Sequence, residues 1–231
     1  VTSLRLTPRP TPGARLSHAG AAPAVKRLTD VLLAALALVL AAPVLLLAML
    51  LVRLRLGAPV FFTQERTGLG WRRFRIYKLR TMSDARGPDG KLLSDSARCG
   101  RLGRALRRLS IDELPQLVNV LRGELSLVGP RPLLPRYDPW YTEREALRFA
   151  VRPGITGLAQ VSGRNGVPWD ERLELDVRYV ADWSLLLDLR ILGRTVGRVL
   201  TGSGVVVDPA ARMPDLDAER MGAERRLVCR S

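Results

Sequence analysis

The segment from Val31 to Val52, V-L-L-A-A-L-A-L-V-L-A-A-P-V-L-L-L-A-M-L-L-V, runs 22 residues without a charge. At helical rise that is long enough to cross the hydrocarbon core of a bilayer. The apolar run is too long for a cleavable signal peptide, and charged, structured sequence follows it. Two features compete with a simple span. Lys26 and Arg27 flank the segment on one side and Arg53 and Arg55 on the other, whereas basic residues tend to stay on the cytoplasmic side. Pro43 falls near the middle, where it removes a backbone hydrogen bond and predicts a helix break. Both a spanning helix and one that enters and leaves by the same face satisfy these residues.

The remainder must fold beside this segment. The 231 residues, 47% hydrophobic, predict one substantial core with appendages. There are 37 basic and 22 acidic residues, a formal net charge of +15, which calls for an anionic partner. Nucleic acid is a poor candidate: aromatics make up only 5% of the chain, and no helix-turn-helix, zinc-finger or aromatic RNA-binding pattern is present. Cys99 and Cys229 form no metal-binding or disulfide pattern. The only histidine, His18, sits in a Pro-, Gly- and Arg-rich stretch expected to be a flexible tail. Catalysis would therefore run on carboxylates, Lys, Arg, Ser or an oxygen-bound metal.

Pattern predicts a mostly helical α+β chain. Pro59 to Thr81 contains two β-prone runs around T-G-L-G and predicts a hairpin, followed by a loop over Ser83 to Gly90. Arg98 to Leu109 and Ser184 to Leu200 predict basic amphipathic helices, suited either to a soluble core or to a membrane interface. Thr142 to Phe149 and Glu171 to Tyr179 predict shorter helices. Val128 to Pro132 is expected to be extended or turning, residues 151–166 irregular, and the chain after Gly204 a polar tail.

Between these elements lies L-S-I-D-E-L-P-Q-L-V-N-V-L, Leu109 to Leu121, with the adjacent carboxylates Asp112 and Glu113. Ser110 and Glu113 match a capping box ahead of an apolar run. Pro115 strains that register, and a helix starting at Asp112 would place the proline in its first turn. Such a helix start, with Lys78, Arg107, Arg131 and Arg164 supplied by other segments, would also suit a phosphate. A carboxylate there can attack phosphorus or hold Mg²⁺. Capping and chemistry both remain open on the residues alone.

An ordered set of stretches resembles the bacterial sugar transferase family, the small monotopic phosphoglycosyl transferases. They are K-R-L-T-D (26–30), the proline-containing apolar segment, F-T-Q-E-R-T-G (62–68), F-R-I-Y-K-L-R-T-M (74–82), Leu109 to Pro132, R-P-G-I-T-G-L-A-Q-V-S-G-R-N (152–165) and L-D-V-R-Y-V (175–180). The resemblance implies transfer of a phosphosugar from a UDP-sugar to undecaprenyl phosphate, with UMP released and Mg²⁺ as cofactor. Asp112 would be the nucleophile and Glu113 its acidic partner, the two also holding the metal, while Lys78, Arg107, Arg131 and Arg164 would contact phosphates. It further implies a re-entrant helix broken at Pro43, although many relatives carry Ser where this chain has Ala42. The expected organisation is a tail over 1–25, a re-entrant helix over 26–56, a catalytic domain over 57–201 and a tail over 202–231, in contact with membrane lipids at the cytoplasmic face of the inner membrane. Downstream glycosyltransferases are possible partners. The alternative is a non-catalytic basic module that recruits glycan-assembly proteins to a membrane.

Overall fold

The computed structural model describes residues 22–163, 168–201 and 215–228. The N-terminal apolar run forms α1, Ala22–Leu56, so helix begins four residues inside the expected tail. Arg53 and Arg55 stand in its last turn, where cations oppose the helix dipole. Pro43 lies inside this helix, which runs through it without interruption, contrary to the predicted break. One missing N–H removes one rung of the ladder, and the packed flanks on either side keep the helix whole.

The flanks of α1 pack on the rest of the chain, and its long sides stay bare. Ala34, fully buried, meets Phe74, Ile76, Leu117, Val120 and Leu125. Ala48 and Val52 pack with Leu79 and Leu106. Near the N-terminal end Arg27 donates to the carbonyls of Val120 (2.6 Å) and Leu121 (3.0 Å). Meanwhile Leu36, Val39, Leu40, Leu46, Leu47 and Leu54 are exposed, Val39 by 71%. The helix is long and apolar enough to cross a membrane, and it is not the covered core helix of a soluble protein, whose apolar surface would be buried.

The predicted hairpin is present: β1, Phe61–Thr67, pairs antiparallel with β2, Arg73–Leu79. Alternation in the pleat puts Phe62, Gln64 and Arg66 on one face with their partners Lys78, Ile76 and Phe74. Phe74 and Ile76 are buried there. The loop from Ser83 to Gly90 holds no helix and no strand, as expected.

The expected helix over 98–109 divides into α2, Asp95–Arg98, and α3, Arg101–Arg108. Arg101, Arg104 and Arg108 are exposed and Leu106 is buried, as its pattern predicts. Gly103 lies against the Thr81 backbone, where a Cβ would overlap the carbonyl, so glycine permits α3 to pack onto the end of β2.

Beyond a 3-10 turn at Ile111–Glu113 comes α4, Gln116–Arg122, closed by left-handed Gly123. Fully buried Asn119 ties α4 to β2: its Nδ2 donates to Arg75 O (2.8 Å) and its Oδ1 accepts from Tyr77 N (3.3 Å). Next is β3, Ser126–Val128, which pairs in parallel with β4, Gly154–Thr156.

That second pair corrects the expectation of irregular chain over 151–166, as does α5, Leu158–Ser162. Thr142 to Phe149, expected as a helix, instead contains a 3-10 segment, Glu145–Ala150. The last helices are α6, Trp169–Ala181, α7, Leu185–Thr201, and α8, Leu216–Val228. The first two match prediction, and the third replaces part of the expected tail. Leu216 is fully buried in an aromatic cluster with Tyr137, Tyr141, Phe149 and Trp169, and Arg220 bonds Glu145 and Asp170. Leu216 and the ion pairs of Arg220 with Glu145 and Asp170 and of Asp217 with Arg136 dock this helix. Residues 1–21 of the tail predicted over 1–25, with His18, and residues 202–214 and 229–231 of the tail predicted over 202–231, with Cys229, lie outside the described residues.

Candidate active site

Four segments converge on the acidic pair. The chain leaves α3 through Ser110, whose φ of 54° and ψ of 22° are left-handed, and this turn sets Asp112 and Glu113 on the 3-10 turn that follows. The Ser110 side chain makes no capping bond, and Pro115 occupies the N-cap position of α4. The capping-box reading and the helix start at Asp112 are therefore both corrected. A left-handed serine cannot present the extended N-cap geometry, and the proline starts the helix three residues after the aspartate.

Glu113 accepts from Lys78 Nζ at 2.6 Å, with Lys78 near the end of β2, and from Arg131 Nη2 at 3.1 Å. Arg131 follows β3, and glycines hold it there. Gly129 and Gly154 pass so closely that side chains on either would overlap the opposing backbone. Gly129 N donates to Thr156 O and Gly154 N to Pro130 O, both at 2.9 Å. The V-G-P-R-P and R-P-G-I-T-G stretches thus form one knot. Arg107, in the last turn of α3, is set by its Nε bond to Thr81 Oγ1 at 2.9 Å. Arg164 lies outside the described residues.

The two carboxylates occupy opposite electrostatic states. Burial raises the Glu113 pKa, but Lys78 and Arg131 together outweigh it and hold the carboxyl far below the usual range. Asp112 is only 8% exposed, and no hydrogen bond or ion pair engages its carboxylate among the described residues. Burial, then the charge of Glu113, push its pKa up to about 6, against the pull of Lys78, Arg107 and Arg131. Glu113 is a committed anion. Asp112 is an uncommitted carboxylate with cations nearby, suited to attack an electrophile, take a proton or coordinate a metal.

Pattern reading missed the support behind Arg131. Arg148 and Asp176 form an ion pair at 2.8 Å with both side chains 2% exposed. Arg148 also donates to Tyr141 Oη (3.0 Å) and to the Arg131 carbonyl (2.6 Å). Asp176 lay within the L-D-V-R-Y-V stretch, whereas one arginine among so many basic residues gave Arg148 no signal of its own. Arg66, on β1, is a second omission.

Magnesium fits this donor set in a restricted way. Among the described residues no cluster of three His, Cys, Asp or Glu side chains exists. Mg²⁺ would find the free Asp112 carboxylate and, beside it, Glu113, and would complete its shell with water and substrate oxygens, a usual arrangement at phosphoryl sites. An open cleft of about 720 Å³ between α5 and α7, lined by residues such as Ser162, Arg194 and Arg198, offers no carboxylate and lacks the acidic pair.

An acidic pair framed by Lys and Arg, on a small α+β domain behind a long apolar helix, defines a phosphate-handling protein. The chain belongs to the bacterial sugar transferase family, whose model matches residues 21–202. It is 52% identical over 181 residues to the uncharacterized sugar transferase EpsL of Bacillus subtilis, covering 78% of this chain and 90% of that protein. A UDP-glucose:undecaprenyl-phosphate glucose-1-phosphate transferase of Caulobacter vibrioides is 49% identical over 186 residues, covering 76% of this chain and 70% of the relative. An Aeromonas hydrophila UDP-N-acetylgalactosamine-undecaprenyl-phosphate N-acetylgalactosaminephosphotransferase is 39% identical over 192 residues, covering 78% of this chain and 44% of that protein.

Proposed function

We propose that this protein transfers a phosphosugar from a UDP-sugar to undecaprenyl phosphate and releases UMP, as the first membrane step of polysaccharide assembly. The observation that carries the mechanism is the unpaired Asp112 carboxylate beside a Glu113 that Lys78 and Arg131 engage through Oε1. Asp112 attacks the phosphorus bonded to the sugar. The bond between the two phosphates breaks, UMP leaves, and the phosphosugar stays on the aspartyl oxygen. An oxygen of the lipid phosphate then attacks the same phosphorus and frees the carboxylate. Two displacements let a soluble nucleotide depart before the lipid reacts.

Lys78, Arg107 and Arg131 offset the charge of the diphosphate and of the leaving UMP. Arg164 is proposed for the same task from its place in the matching motif. Glu113 keeps Lys78 and Arg131 in position. Mg²⁺, held by Asp112 and Glu113, would supply further charge neutralisation on the phosphates. A non-catalytic docking module has no use for a buried, unpaired carboxylate, so the enzymatic reading is preferred.

The same reading places α1 in the membrane as a re-entrant element that bends at Pro43, where the missing N–H weakens the ladder while the helix continues, with the catalytic unit at the cytoplasmic face of the inner membrane. Supporting it, both flanks of α1 are bonded or packed to one folded unit while the leucine-rich sides are bare. A spanning helix would carry one flank away from that unit.

The test is UMP release from a panel of UDP-glucose, UDP-galactose and UDP-N-acetylgalactosamine with undecaprenyl phosphate and Mg²⁺. Release with at least one donor, abolished by EDTA and by Asp112→Asn, is expected. Full activity of that variant would remove Asp112 from the mechanism.

A further inference from the structure

Arg66 has a surrounding that none of its neighbours explains. It stands on β1, on the hairpin face that also carries Lys78, about 13 Å along the strand from Lys78's cross-strand partner Phe62. Its Nη2 donates to the neutral Gln64 Oε1 at 2.6 Å, and its Nε is buried with no hydrogen-bond partner. Other arginines of the same unit are matched to acids: Arg148 to Asp176, Arg144 to Glu174, Arg73 to Asp138. Arg66 instead lies close enough to Arg131 to feel its charge. The nearby acid, Glu113, is already bonded to Lys78 and Arg131.

Like charges on these two linked segments disfavour one another, and burial strips hydration from Arg66. Burial, followed by the charge of Arg131, brings the Arg66 pKa down to about 10. The fold holds the arrangement in place regardless. β-Register fixes the side of the sheet on which Arg66 stands, and Thr67 N donates to Leu133 O at 3.3 Å, tying the end of β1 to the segment that follows Arg131. An anion placed between Arg66 and Arg131 would satisfy both cations at once, and paired guanidinium groups bind phosphoryl oxygens well.

We propose that Arg66 is a further substrate-binding residue, which with Arg131 cradles a phosphoryl group at the acidic pair. This rests on the function proposed above. The hairpin then contributes a cation from each strand, Lys78 from β2 and Arg66 from β1, with Arg131 as the third. The phosphoryl group has two sources, the nucleotide diphosphate and the lipid phosphate, and separate measurements distinguish them.

The full chain in detergent micelles with Mg²⁺ is compared with Arg66→Gln and Arg66→Lys. The donor arm measures the burst of UMP released without acceptor against UDP-sugar concentration; the acceptor arm measures KM for undecaprenyl phosphate. Loss of a charge-assisted hydrogen bond should raise the half-saturating concentration roughly tenfold to a hundredfold in one arm for Arg66→Gln, with partial recovery in Arg66→Lys. A shift in the donor arm assigns the diphosphate and a shift in the acceptor arm the lipid phosphate. Neither moving overturns the proposal. Since Arg66→Gln could act by loosening the fold, UDP binding is also read as the rise in melting temperature of Asp112→Asn and of the Asp112→Asn, Arg66→Lys double variant. An equal rise in both, with unchanged kinetics in Arg66→Lys and lower melting of Arg66→Gln, would make Arg66 structural and sink the idea. If wild type itself releases no UMP with any donor, the function fails and not the arginine.

Discussion

Replacing Asp112, the proposed nucleophile, should make the folded protein more stable. Asp112 has a raised carboxyl pKa, about 6 against 3.8 for the free group. Between these values the folded chain binds more protons than the unfolded one, so stability falls as pH rises from about 4 to about 6 and is flat above. A shift of about two units corresponds to roughly 3 kcal/mol carried as a penalty at neutral pH. Burial is the larger cause and the Glu113 charge the second, and Asn removes both without changing side-chain size. Asp112→Asn should thus gain about 2–3 kcal/mol at pH 8 and almost nothing at pH 4. For a chain of this size that is a rise in melting temperature of about 5–10 °C. The assay is tryptophan fluorescence during heating, in micelles with EDTA, because Trp71 and Trp169 report on the aromatic cluster. If the variant melts at or below wild type at pH 8, or if its advantage does not shrink toward pH 4, the electrostatic account of this site is wrong.

The neighbouring Glu113→Gln should act with the opposite sign. Its lowered carboxyl pKa stabilises the fold above about pH 4.5 and that contribution is lost in acid, so the variant should melt lower at pH 8 by the equivalent of about 1–3 kcal/mol and converge on wild type in acid. Asp176→Asn removes one partner of a pair that is 2% exposed on both sides, and should cost about 3–5 kcal/mol by chemical denaturation while raising KM for the donor through Arg148 and the Arg131 carbonyl. Gly103→Ala should lose about 1–3 kcal/mol and weaken donor binding, since α3 must back away from Thr81 and Arg107 with it. An unchanged melting temperature would show that α3 can shift without penalty.

Much of this frame was legible where a side-chain period exists. The hairpin followed from alternation around T-G-L-G, and α6 and α7 from apolar positions at helical spacing. β3 and β4 have three residues each and no period to read. They exist because glycines 129 and 154 let two distant backbones touch, which is a tertiary fact. Ser110 matched a cap by its letters and failed by its left-handed φ, imposed by the turn out of α3. The acidic pair stood out as adjacent carboxylates ahead of an apolar run. Arg66 and Arg148 did not, because what sets them apart is strand register for one and a buried partner 28 residues away for the other.

The contacts at the start of α1 bear on catalysis as well as on anchoring. Asp30 accepts from Ser126 Oγ (2.8 Å) and from Leu127 N (3.2 Å), both on β3. Lys26 reaches Asp188 of α7 at 2.7 Å, Asp188 accepts from Tyr179 Oη at 2.8 Å, and the same hydroxyl bonds to Val128 O at 2.9 Å. Both chains of contacts, one through Asp30 and one through Asp188 and Tyr179, end on the three residues of β3, and Arg131 lies three residues beyond its last one. On the proposed reading, a helix seated in lipid and an arginine that faces the phosphate are thus joined through a short strand bonded on both sides. In the proposed reaction one substrate arrives from water and the other is confined to the headgroup layer, so the height of the site above the lipid is a catalytic variable. Fixing α1 and Arg131 to the same strand sets that height by covalent and hydrogen-bond geometry, which a flexible linker between anchor and enzyme could not do.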